Sequence, residues 1–125
     1  MIVLVVEDLT ELREVIGRVL MANGYTVLAA PDAETAISLV SSTAQSIDLL
    51  VTDWHLPGMN GCDLAKHLIA THPQMRVLIC SGDVDYENED GRWLKGLGEY
   101  IAKPYDLMAM LEKLQKLSAR PPSTP

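Results

Sequence analysis

Four short apolar runs in this chain each stop on a residue with metal or phosphoryl chemistry. Ile2–Val6 runs into Glu7-Asp8, residues 49–52 into Asp53, residues 77–80 into Ser81, and residues 100–102 into Lys103-Pro104. Short continuous apolar runs mark strands buried on both faces of a parallel sheet. In open α/β sheets, ligands bind beyond the carboxyl ends of the strands. If the runs are neighbouring parallel strands, three carboxylates, one hydroxyl and one ammonium meet at one rim. That set suits a divalent metal and a phosphoryl group.

The segments between the runs read as helices. Thr10 is placed to cap a helix with Leu12, Val15, Ile16, Val19 and Leu20 on one face, and Asn23-Gly24 to stop it. Residues 25–30 form a second strand. Asp32 caps a helix carrying Ala33, Ala36, Ile37 and Val40 inward. Leu49–Asp53 is the third strand, followed by the turn-rich stretch Leu56-Pro57-Gly58-Met59-Asn60-Gly61. A third helix places Leu64, Leu68 and Ile69 inward and ends near Thr71-His72-Pro73, since the residue before a proline is pushed out of helical space. Residues 77–81 and 99–102 are the fourth and fifth strands. Asp106 caps a last helix with Leu107, Met110, Leu111, Leu114 and Leu117 inward. Five β-α units imply right-handed crossovers and helices on both faces of a parallel sheet. By position, residues 83–95 hold the fourth helix; they carry many acids and few apolar side chains, so that helix is expected to be short and poorly anchored.

At 125 residues the chain is one domain, and 48% hydrophobic residues are enough for a compact core. A net charge of −7 argues against direct nucleic-acid binding and against docking on anionic lipid. Cys62 and Cys80 are the only cysteines. They make neither a disulfide framework nor a zinc set, and Cys80 inside a strand reads as a buried, reduced thiol. No stretch reaches membrane-spanning length, and Met1–Val6 is too short for a signal-peptide core. A reduced, cytoplasmic protein is expected. Residues 1–118 make up the folded unit, and the proline-rich residues 119–125 are expected to be extended or disordered, like a linker.

The order of acid pair, lone Asp, Ser and Lys-Pro resembles the receiver domain of two-component response regulators. VVED at 5–8, TDWHLPGMNG at 52–61, SG at 81–82 and GLGEYIAKP at 96–104 carry the resemblance, which spans roughly residues 2–117. It implies a doubly wound, flavodoxin-like α/β fold with five parallel strands in the order 2-1-3-4-5 and five helices. It also implies that Asp53 accepts a phosphoryl group from a phosphohistidine of a histidine kinase or histidine phosphotransfer protein. Mg2+, with Mn2+ as a substitute, is the implied cofactor. The expected ligands are Asp8, Asp53 and the main-chain carbonyl of His55, with Glu7 in support or bridged by water. Lys103 and Ser81 would bind the phosphoryl oxygens. Ser81 and Tyr100 would form a switch that alters a partner-binding face made by residues 83–95, the fifth strand and the last helix. A cis Lys103–Pro104 bond is implied as well. A downstream protein partner of unknown identity is expected, and a phosphorylation-dependent homodimer is left open.

The residues support the same chemistry without the name. Clustered carboxylates repel, which raises their pKa values, and a hard cation relieves that repulsion. A lysine and a hydroxyl beside them can stabilise charge on a transferring group. The plainer readings are a strand-end cap for Asp53, helix N-terminal charge for Glu7-Asp8, a turn hydroxyl for Ser81 and an ordinary strand aromatic for Tyr100. The His55 side chain is expected to flank the site and tune water access. His67 and His72 read as solvated. Two other functions compete. An aspartyl-phosphate phosphohydrolase of the haloacid dehalogenase type needs a second Asp two residues past the nucleophile, where this chain has His55. A phosphorylation-independent binding module on the same fold would not need the complete acid set. The favoured reading is a signalling module that is not an enzyme in the usual sense and catalyses only its own phosphorylation and dephosphorylation.

Overall fold

The computed structural model describes residues 1–81, 97–103 and 106–119. In chain order the elements are β1 (Ile2–Val6), α1 (Thr10–Ala22), β2 (Thr26–Ala30), α2 (Ala33–Ser42), β3 (Leu49–Asp53), α3 (Gly61–Ile69), β4 (Arg76–Ser81), β5 (Gly98–Ala102) and α4 (Leu107–Ala119). The five strands pair in parallel in the order β2-β1-β3-β4-β5. The expected sheet and strand order are therefore present, with four helices among the described residues. The helix expected over residues 83–95, the Lys103–Pro104 bond and the tail beyond Ala119 lie outside them.

Strand alternation divides the core into two layers. Leu4 and Val6 of β1, Leu50 of β3, and Val77 and Ile79 of β4 pack with Ala36 and Val40 of α2 and with Leu64, Ala65 and Leu68 of α3. Val3, Val5, Leu49, Val51, Leu78, Cys80 and Ile101 point the other way. They pack against Ile16 and Leu20 of α1 and Met110, Leu111, Leu114 and Leu117 of α4. β3 and β4 are buried along their whole length, which is why they read as unbroken apolar runs.

Capping agrees with the sequence at two helices and departs from it at one. Asp32 accepts the Thr35 N–H at 2.7 Å, and Asp106 accepts the Ala109 N–H at 2.8 Å. Thr10, expected as a cap, is the first helical residue instead. Leu9 stands at the N-cap and makes no side-chain capping bond. α3 has a cap that sequence reading missed: Asn60 accepts the Asp63 N–H at 2.8 Å. Val15 was expected inward but is 37% exposed, because Ile16 and Leu20 centre the buried stripe of α1. β4 begins one residue early, at Arg76, whose N–H bonds the Asp48 carbonyl. Ala119, assigned to the tail, closes α4.

Candidate metal and phosphoryl site

The carboxyl ends of β1, β3, β4 and β5 deliver Glu7, Asp8, Asp53, Ser81 and Lys103 to one edge of the sheet. Glu7, Asp8 and Asp53 each offer a carboxylate oxygen, all within 4.8 Å of one another. Asp53 and Glu7 are buried, whereas Asp8 is exposed. Three hard oxygen donors, one of them open to solvent, fit a divalent cation that keeps part of its water shell.

Lys103 closes the cluster. Its Nζ donates to Asp53 Oδ2 at 2.8 Å and lies 4.0 Å from Glu7 Oε1. The backbone places it there: the Lys103 N–H bonds the Ser81 carbonyl at 2.9 Å, which carries the β4–β5 pairing past the last strand residue. Burial alone would lower the pKa of this ammonium. The hydrogen bond and charge of Asp53, with Glu7 behind it, more than reverse that and hold it above the usual lysine value.

Glu7 is pushed the other way, up to about 7. Burial is the main cause, and a hydrogen bond with Asp8 adds to it. The Leu9 N–H and Lys103 oppose the shift, while the charge of Asp53 reinforces it. One cluster thus holds a carboxyl reluctant to ionise beside an ammonium reluctant to lose its proton. Between about pH 4.5 and 7 the folded protein keeps a proton on Glu7 that the unfolded chain releases. This residue's contribution to stability therefore falls as pH rises through that window, by up to about 3 kcal/mol. Glu7→Gln mimics the protonated form. In denaturant titrations with EDTA it is expected to be more stable than wild type at pH 8, with the gap closing toward pH 5. Parallel pH profiles for the two proteins would contradict this account of Glu7.

Ser81 is buried at the end of β4. Tyr100 is half-buried in β5 against the cluster that includes α2 and α3. The register pairs Tyr100 with Ile79 and Ser81 with Ala102, so Tyr100 and Ser81 share a sheet face, two residues apart along the ladder. His55 is exposed, two residues past Asp53. Three further residues shape the site and were not singled out from sequence. Gly61 donates its N–H to the Trp54 carbonyl at 2.8 Å, closing the loop after β3. Thr52 is buried and donates its hydroxyl to the Asp53 carbonyl at 3.0 Å. Arg13 donates to the Glu7 carbonyl at 2.8 Å. Gly61 alone had a visible signal, as the last residue of the turn-rich stretch.

Known proteins share this fold. Residues 3–115 match the family described as response regulator receiver domain. The chain is 31% identical over 121 residues to the chemotaxis protein CheY of Pseudomonas aeruginosa, covering 94% of this chain and 96% of that protein. It is 30% identical to CheY-3 of Vibrio cholerae, covering 94% and 92% respectively. Among solved structures, the receiver domain from the hybrid histidine kinase CckA superposes with a TM-score of 0.77 at 32% identity, over 94% of this chain and 99% of that one. A family match over nearly the whole length, on a sheet with the same strand order and an acid cluster at its carboxyl edge, settles the kinship: the chain belongs to the response regulator receiver domain family.

Proposed function

We propose that this protein is a phosphorelay receiver that takes a phosphoryl group on Asp53, with Mg2+ held by the acid cluster. The observation that carries this reading is the Lys103–Asp53 contact at 2.8 Å inside a cluster of three carboxylates. Receiver domains as a class partner with histidine kinases and histidine phosphotransfer proteins, and a phosphohistidine of such a protein is the natural donor. In the transfer, an Asp53 carboxylate oxygen attacks phosphorus. The O–P bond forms as the N–P bond to the donor imidazole breaks, and the imidazole leaves with the bonding pair. Return to the resting state is attack of water on phosphorus, which releases phosphate and restores the carboxylate.

Each residue has a part that follows from its position. Asp8 and Asp53 would hold the metal, with Glu7 supporting them from the buried side of the cluster, and the family resemblance adds the His55 main-chain carbonyl as a further ligand. Bound Mg2+ would neutralise charge on the acids and on the transferring group. Lys103, freed from its resting ion pair, binds a phosphoryl oxygen. The Ser81 hydroxyl donates to another. Drawing Ser81 toward the phosphoryl group alters the packing of Tyr100 on the same sheet face, and a partner reads the changed surface. The phosphoryl group biases such a two-state element only as far as it favours one state. The family's chemistry is confined to gaining and losing its own phosphoryl group, so this is a signalling module and not a turnover enzyme.

Intact-mass spectrometry after incubation with acetyl phosphate tests the reading. Wild type with Mg2+ is expected to gain one phosphoryl group. Asp53→Asn, or wild type in EDTA, is expected to gain none. Equal gain by wild type and Asp53→Asn would move the acceptor elsewhere. No gain by wild type, together with no binding of beryllofluoride, would leave a phosphorylation-independent binding module as the better account.

A further inference from the structure

The loop that carries Asp8 is held in an unusual way. α1 begins without a side-chain cap at Leu9, so the usual device for fixing a helix entrance is missing. Arg13 takes over from inside the helix. Its backbone N–H makes the ordinary first helical bond to the Leu9 carbonyl at 2.9 Å, and its guanidinium reaches back to donate to the Glu7 carbonyl at 2.8 Å. The Arg13 side chain thus ties the first turn of α1 back to the carbonyl just before Asp8, in a loop where the Leu9 N–H also bonds Glu7 Oε2 at 3.2 Å. The Glu7 N–H is already committed to the Ala30 carbonyl at 3.1 Å in the next strand. Because the peptide unit is planar, fixing the Glu7 carbonyl also fixes the direction in which the chain enters Asp8.

We propose that Arg13 is a positioning residue for the acid pair: by holding the Glu7 carbonyl it keeps Asp8 where it can share a divalent cation with Asp53. The proposal rests on the phosphorelay reading of the site and adds to it a residue outside the acid, hydroxyl and lysine set. Electrostatics alone predicts the opposite of positioning here. A guanidinium close to a dication site repels the dication, so deleting it would tighten binding. If the hold on the Glu7 carbonyl dominates, deleting it loosens the ligand pair and weakens binding. The sign of the effect decides between the two.

The experiment is Mn2+ binding, read as free Mn2+ by electron paramagnetic resonance, on wild type, Arg13→Met, Arg13→Lys and Asp53→Asn. Melting curves in EDTA are recorded alongside. Methionine keeps an unbranched stem and good helix propensity, so Arg13→Met is expected to melt within a few degrees of wild type. Its Mn2+ affinity is expected to fall by roughly tenfold, the size typical of losing a group that orients a metal ligand. Arg13→Lys keeps a charged donor and is expected to recover most of that loss. Unchanged or tighter binding by Arg13→Met overturns the proposal, as does an equal loss in Arg13→Met and Arg13→Lys. If wild type binds Mn2+ no better than Asp53→Asn, the metal-site reading underneath has failed instead.

Discussion

Lys103→Met is expected to take up a phosphoryl group about 10²–10³-fold more slowly than wild type, the usual cost of removing one donor aimed at developing charge. The same variant is expected to bind Mn2+ roughly tenfold more tightly, equivalent to about 1.4 kcal/mol. The two effects have one origin. At rest the Lys103 ammonium sits 2.8 Å from Asp53 and 4.0 Å from Glu7, where it neutralises the carboxylates that a dication would use. Removing it gives those carboxylates to the metal. In the proposed transfer, the same ammonium would balance charge on the phosphoryl oxygens, and methionine offers nothing in its place. Stopped-flow uptake from a small phosphodonor and Mn2+ titration separate the two roles. Unchanged uptake, or weaker Mn2+ binding, would contradict the position assigned to Lys103.

Gly61→Ala is expected to cost about 2–4 kcal/mol of stability and on the order of 10 °C in Tm, and to cripple phosphorylation. A Cβ on Gly61 would overlap the Asp53 carbonyl oxygen and approach Thr52 Cγ2 to 3.1 Å. The first obstacle is backbone and cannot rotate away. Either α3 retreats from the end of β3 or the acceptor strand shifts. Overpacking of this kind costs about 1–3 kcal/mol, and losing the Gly61–Trp54 bond, 2.8 Å long in the native loop, adds about 1 kcal/mol. Gly17→Ala is the control. Its Cβ would meet only Val27 Cγ1 at an ordinary 3.8 Å, so a helix-interior alanine there is expected to stabilise by about 0.5–1 kcal/mol. If the two variants behaved alike, the close approach of α3 to Asp53 would not matter.

Most of the architecture was legible because periodicity is a direct record of burial. β3 and β4 are covered on both faces and read as solid apolar runs, while the helices show their buried stripes at three- and four-residue spacing. The strand ends then named the acids and the lysine, since a parallel sheet sends all its carboxyl ends to one rim. Three kinds of feature were not legible. Thr10 looked like a cap, but a cap depends on where the chain leaves the strand, and Leu9 stands at that point. Arg13 drew no reading at all, because a side-chain bond to the carbonyl six residues back leaves no composition signal. The depth of Glu7 was also hidden. Adjacent acids look alike in a sequence, yet the end of β1 buries Glu7 and leaves Asp8 in solvent, which makes Glu7 the carboxyl pushed up to about 7.

The most direct test of the central claim is chemical mapping of the acceptor. An acyl phosphate is reduced by borohydride to an alcohol, so a phosphorylated aspartate becomes homoserine, whereas a phosphate ester on a hydroxyl is untouched. Wild-type protein incubated with phosphodonor and Mg2+, reduced, digested and sequenced by tandem mass spectrometry is expected to show homoserine at position 53 and nowhere else. Homoserine at position 8, or a borohydride-resistant phosphate on Ser81, would contradict the account.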